Sequence, residues 1–208
     1  SIRQTQVRPD VGMDFAAGLR ALLRQDPDVI LVGEIRDLET AQLATRAATR
    51  AALTGHLVLS TLHTNDAVGV IPRLVDMGVD RYMLPAALSS IIAQRLVRVL
   101  CPHCRRPHAR PAELIESRGL GDAIPEDATL YEAVGCVHCN GTGYQGRSAI
   151  YEILTVDERF HAPIISGASA GELNALAAES GMVPMLHDGI AKAMVGVTSL
   201  DEVLRVVR

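Results

Sequence analysis

Two short aliphatic runs, VILV at residues 29–32 and HLVLST at 56–61, enclose LETAQLATRAATRAAL, a stretch of helix formers. A helix between two strands carries the chain back to where the first strand began, so the strands run side by side in parallel. Upstream, FAAGLRALLRQ (15–25) puts Phe15, Leu19, Leu22 and Leu23 on one side of a helix. Asp26-Pro27 ends it, because a residue before proline is pushed out of the α region. Asp37 stands where the N-cap of the next helix belongs, and Thr54-Gly55 closes that helix. DVILV presents apolar side chains to both faces and reads as a fully buried strand, as does HLVLST. Asn65-Asp66 restarts a helix through IPRLVDMG, and a further helix is expected from Tyr82 to Leu100, with Pro85 near its start. The alternation implies an α/β fold with a mainly parallel sheet. Ligands bind such sheets at the carboxyl ends of the strands. Here those ends carry Glu34 and STLHTND.

Composition narrows the class. Hydrophobic residues make up 48% of the 208, which excludes a disordered chain, while 3% aromatics and no Trp demand an aliphatic core. Arg or Pro breaks every apolar run well short of 18 residues, and no secretory signal opens the chain, so the cytoplasm is the default compartment. A net charge of −4 argues against a general nucleic-acid binder. Lys192 is the only lysine among 20 basic residues. Arginine suits bidentate pairing with phosphate or carboxylate, although a GC-rich genome would enrich it equally.

The character of the chain changes at Cys101. All four cysteines fall in two CxxC pairs, Cys101/Cys104 and Cys136/Cys139, with 31 residues between the pairs. Two CxxC turns offer four thiolates to one tetrahedral ion, which points to structural Zn2+ with no open position for catalysis. The separation exceeds the usual zinc-ribbon span, and a short helix at 113–119 would take up the difference. Two disulfides are disfavoured without a secretory signal, and a redox CxxC needs no second copy. His103 and His138, inside the two turns, are spare ligands. IYEILTV then reads as a strand, followed by helical patterns at 157–166, 170–180, 185–195 and 199–207.

Glu34, directly after VILVG, has the setting of the acidic residue that ends a strand beside the magnesium–water system in P-loop NTPases. The plainer alternative is a strand that meets water at its tip. His63 follows the second strand among Thr61, Thr64 and Asn65, all able to orient water or a phosphate oxygen. A structural histidine is the alternative there. His56, at the start of the same strand, should lie at its opposite end, which argues against joint metal ligation with His63. No HExxH occurs, so a zinc protease is not indicated. Arg20 and Arg24, four apart on one helical face, and Arg36 would suit phosphate charge or pair with nearby aspartates.

Together these segments resemble the secretion-superfamily ATPases. The resemblance runs through LRALLRQDPDVILVGEIRDLETAQLA, TGHLVLSTLHTNDA, QRLVR, the tetracysteine module, GRSAIYEIL and TSLDEVLRVV, essentially the whole chain. The pattern is that of the general secretion pathway protein E type, the motor of bacterial type II secretion. Type IV pilus assembly ATPases are near relatives, and pilus retraction ATPases lack the cysteines. The resemblance implies that GEIRD is the Walker B segment with Glu34 as catalytic carboxylate. It likewise makes TGHLVLSTLHT the histidine box, with His63 near the terminal phosphate and His56 structural. Thr61, Arg20, Arg24 and Arg36 would be nucleotide-proximal or inter-subunit, and the four cysteines a zinc subdomain. It further implies a RecA-like core over 1–100, a zinc-binding subdomain over 101–146 and a mainly helical subdomain over 147–208. The family implies ATP with Mg2+, homo-hexamers, an inner-membrane platform as partner, no nucleic acid, and a cytoplasmic, peripherally membrane-associated location. The 208 residues contain no G-x-x-x-x-G-K-[ST]. The chain therefore reads as a carboxyl-terminal fragment, expected to be inactive alone. A non-enzymatic, zinc-stapled docking module is the competing reading.

Overall fold

The computed structural model describes residues 2–25, 27–54 and 57–207. They fall into two compact units, one of residues 1–91 and 154–181, the other of 92–153 and 182–208.

The first unit opens with α1 (Phe15–Leu22), capped by Asp14, whose carboxylate accepts the Ala17 N–H at 2.7 Å. β1 (Val29–Val32), α2 (Leu38–Thr54) and β2 (Leu57–Ser60) follow, and β1 pairs with β2 in parallel, Val29 opposite Leu57 and Val32 opposite Ser60. The expected N-cap of α2 is formed: Asp37 accepts both the Thr40 N–H at 2.8 Å and the Thr40 hydroxyl at 2.9 Å. Ala41, Ala44 and Ala47 form the buried stripe of α2, small enough to let it lie close on its neighbours. Burial of β1 departs from expectation. Ile30 and Val32 are buried, but Val29 is 57% and Leu31 68% exposed, and Leu57 and Leu59 of β2 are also exposed. α1 contacts β1 and α2 contacts β2, and among the described residues the alternate side chains of the two strands stay exposed.

α3 (Val70–Asp76) buries Val70, Ile71 and Leu74. The helix expected over 82–100 does not form. A 3-10 turn at Arg81–Met83 and the short α4 (Leu84–Ala87) give way to β3 (Ser90–Leu100). Burial shows why: Ile91, Ala93, Val97 and Leu100 point inward, while Ser90, Ile92, Gln94, Leu96 and Arg98 are exposed. That is mostly a period of two, carried by β-branched residues that favour strands. The first unit is completed by α6 (Glu158–Ser166), which buries Phe160 and contacts α4, and by α7 (Ala170–Glu179). α7 starts with a capping box, Ser169 N–H to Glu172 at 2.7 Å and Glu172 N–H to the Ser169 hydroxyl at 3.3 Å.

β3 pairs with β6 (Tyr144–Thr155), and all but the ends of the two strands lie in the second unit. Cys101 N–H donates to Gly143 O at 2.9 Å and Val156 N–H to Ser89 O at 3.0 Å. The end of one strand thus lies beside the start of the other, and they run antiparallel. Between them come β4 (Arg106–Pro107), α5 (Pro111–Ser117) and β5 (Tyr131–Glu132), with β4 and β5 antiparallel. α8 (Met185–Met194) and α9 (Leu200–Val206) pack on each other.

α9 is held to β3 by an ion cluster. The Glu202 side chain is wholly buried. Its oxygens accept the Arg98 backbone N–H at 3.0 Å, the Arg98 guanidinium at 2.7 Å, and Arg205 at 2.8 and 2.7 Å. Burial works against the charge, but the bonds from Arg205 and Arg98 outweigh it and bring the carboxyl from 4.5 down to about 2. A depressed carboxyl stabilises the fold above its ordinary value and ceases to do so as pH falls through the folded value. The stability advantage of wild type over Glu202→Gln should therefore be full above roughly pH 5 and shrink by about 3 kcal/mol towards pH 2. Urea melts of both proteins across that range measure it, and a gap that does not change with pH would contradict the assignment.

Candidate functional site

The parallel register is tied at the strand ends and continues one step past them. Ser60 Oγ donates to Val32 O at 3.0 Å, Thr61 Oγ1 to Gly33 O at 2.7 Å, and Ile35 N–H to Thr61 O at 3.0 Å. These bonds carry Glu34 and His63 to the same sheet edge, with His63 Nε2 3.8 Å from Glu34 Oε2. Arg36 Nε reaches the same oxygen at 2.5 Å. Glu34 is a quarter exposed, whereas His63 is 90% exposed. A carboxylate in that position can take a proton from water, and the imidazole and guanidinium beside it can face anionic charge. A Cβ on Gly33 would meet only the Phe15 ring, at 3.9 Å, so packing within the chain does not require glycine there.

The other expected residues are distributed unevenly. The Thr61 hydroxyl is engaged on Gly33. Arg20 pairs with Glu39 at 2.5 Å. α1 ends at Leu22, so Arg24 lies in the following turn and does not continue a helical face from Arg20. His56 lies outside the described residues.

The four cysteines come together. Their sulfurs all lie within 4.8 Å of one another, with Cys101–Cys136 at 3.9 Å, Cys104–Cys139 at 3.8 Å and Cys136–Cys139 at 3.8 Å. Four thiolates at about 2.3 Å around a tetrahedral zinc would stand about 3.8 Å apart, so this donor set fits such an ion. Backbone donors favour the thiolate form: Gly135 N–H points to Cys104 at 3.3 Å, and Cys136 and Gly143 N–H to Cys139, each at 3.2 Å. At Cys139 burial opposes ionisation, but the two N–H bonds prevail and lower the thiol to about 6. At Cys104 burial dominates and raises it to about 11. Gly135, at φ +106°, passes so close to the Gly141 carbonyl that a Cβ would sit 2.5 Å from its oxygen. His103 and His138 stay outside the sulfur cluster and stack on each other, ring centroids 4.2 Å apart.

Residues 1–205 match the type II/IV secretion system protein family. The chain belongs to that family. Among its relatives are the type II secretion system protein E of Aeromonas hydrophila, 50% identical over all of this chain and 40% of its own length, and the type II secretion system ATPase E of Vibrio cholerae, with the same figures. The type IV pilus assembly ATPase PilB of Thermus thermophilus is also 50% identical, over 98% of this chain and 22% of its own. This family member thus spans well under half of these relatives. A crystal structure of the pilus retraction motor PilT with bound ADP resembles it with a TM-score of 0.60 at 30% identity, over 94% of this chain and 45% of PilT.

Arg118 lies in no pattern that marks it, and Arg98, Glu202 and Arg205 stand out only within QRLVR and TSLDEVLRVV. The direction of Arg98 follows from β3 and not from the helix expected over 82–100. For the sulfur cluster, the purified protein should carry one ion per chain, and Cys139→Ser should reduce that to well below half. Native mass spectrometry decides it, and an unchanged ion content in the variant would exclude the cluster as the site.

Proposed function

We propose that this chain is the carboxyl-terminal part of a secretion ATPase whose ATP hydrolysis drives pseudopilus assembly and protein export by type II secretion. The observation that carries the reading is the meeting of Glu34 and His63 at the carboxyl edge of two parallel strands. In the parent, Glu34 activates the attacking water and His63 senses the terminal phosphate, with Mg2+ supplying charge neutralisation when nucleotide is bound. Thr61, Arg20, Arg24 and Arg36 are nucleotide-proximal or face a neighbouring subunit, and His56 is structural. The RecA-like portion covers 1–100, the zinc subdomain 101–146 and the helical subdomain 147–208. Cys101, Cys104, Cys136 and Cys139 hold a structural Zn2+. The parent assembles as a homo-hexamer in the cytoplasm, docks on inner-membrane platform proteins and binds no nucleic acid. A pilus assembly motor is the second reading, favoured by the equal identity to PilB.

In the parent, Glu34→Gln should lower turnover at least about a hundredfold, the scale of a lost general base, and leave nucleotide affinity within about twofold. Unchanged turnover would refute the role. The 208 residues alone, which hold no phosphate-loop lysine motif, should neither bind nor hydrolyse ATP appreciably in the same assay.

A further inference from the structure

Within the second unit, Arg98, Arg118 and Arg205 line one cavity of about 370 Å3 together with Tyr144, Asp201 and Leu204. It is open to solvent, and each of the three arginine side chains is about half exposed. Glu202 forms its buried wall and cannot take a further donor easily, since each of its oxygens already accepts two hydrogen bonds. Its pairing engages Nη2 of Arg98 and Nε and Nη2 of Arg205, leaving other N–H groups of both outside that pairing. The Arg98 guanidinium also lies over the Tyr144 ring, 4.0 Å from its centroid, and the Tyr144 hydroxyl is tied to the Ser199 hydroxyl at 2.7 Å. Two of the three arginines are therefore held in place before any ligand arrives, which lowers the ordering cost of binding.

Arg118 differs. Its partner is Asp201 at 2.8 Å, both side chains are about half exposed, and an exposed pair of this kind is weak and exchangeable. Counting all five groups, three guanidiniums face two carboxylates, leaving one positive charge in excess. We propose that this cavity is a binding site for a phosphoryl group, with Arg98 and Arg205 as its fixed cations and Arg118 as a third that leaves Asp201 to join them. A tetrahedral phosphoryl group presents several outward oxygens and can accept from three guanidiniums together, whereas a planar carboxylate is satisfied by one or two. The phosphoryl group could be borne by a small soluble molecule or by a lipid headgroup, and one set of variants distinguishes the two.

The test is calorimetric titration of the purified 208-residue chain, carrying its metal, with inorganic phosphate at low ionic strength. Parallel titrations use glutarate, and vesicles of phosphatidylglycerol in phosphatidylcholine against phosphatidylcholine alone. One saturable phosphate site is expected, weakened about tenfold by Arg118→Gln and tightened several-fold by Asp201→Asn, which removes the competing carboxylate. Unchanged thermal melts establish that both variants fold. Vesicle binding that phosphate competes away and Arg118→Gln weakens assigns the site to headgroups. Phosphate binding without vesicle binding assigns it to soluble ligands. Absence of saturable binding, indifference to both substitutions, or glutarate binding as tightly as phosphate would each overturn the proposal.

Discussion

The in-register parallel pairing of Val29–Val32 with Leu57–Ser60 is the constraint on which the candidate site rests. Residues that lie 29 positions apart in the chain, Glu34 and His63, share one sheet edge because Thr61 extends the ladder beyond the strands, its hydroxyl donating to Gly33 O and its carbonyl accepting the Ile35 N–H. A slip of one residue would turn every side chain to the other face and separate carboxylate from imidazole. α2 sets the connection, and its alanine stripe and Asp37 cap keep it close to the sheet.

The second unit is organised differently. Its aliphatic core is supplemented by two polar anchors, each sequestering groups that would be costly if left unpaired. The sulfur cluster gathers both CxxC turns, with glycine at 135 because the backbone there passes too near Gly141 for a side chain. The Glu202 cluster joins α9 to β3, and the pair Arg118–Asp201 joins α9 to the end of α5. Arg105 adds a bond to the Gly196 carbonyl at the end of α8. The segment carrying the cysteines is thereby joined to the last two helices by polar contacts from Arg105 and Arg118. Breaking the Glu202 pairs would be strongly destabilising, because its buried carboxylate would be left charged and dry.

Much of this was legible in the chain. The helix–strand alternation, the Asp37 cap, the four tail helices and the convergence of two CxxC turns follow from local patterns: periodicity, capping chemistry and ligand spacing. The candidacy of Glu34 and His63 also follows, since polar residues that end neighbouring parallel strands must meet. In two places the local pattern is ambiguous. Residues 90–100 contain both helix formers and β-branched residues, and pairing with β6 decided for a strand. VILV is apolar on both faces, but only its neighbours determine whether both faces are covered, and here one is not.

Elements that depend on near neighbours in the chain, and the identity of the groups available for chemistry, follow from the order of residues. What depends on partners far away in the chain came only with folding. Folding brought Arg98, Arg118, Tyr144 and Glu202 around one cavity, engaged the Thr61 hydroxyl on a backbone carbonyl, and set Arg36 and His63 on the same oxygen of Glu34. The physical reason is that hydrogen bonding within a turn or helix is fixed over three or four residues, whereas burial and charge pairing depend on which distant surfaces close upon each other.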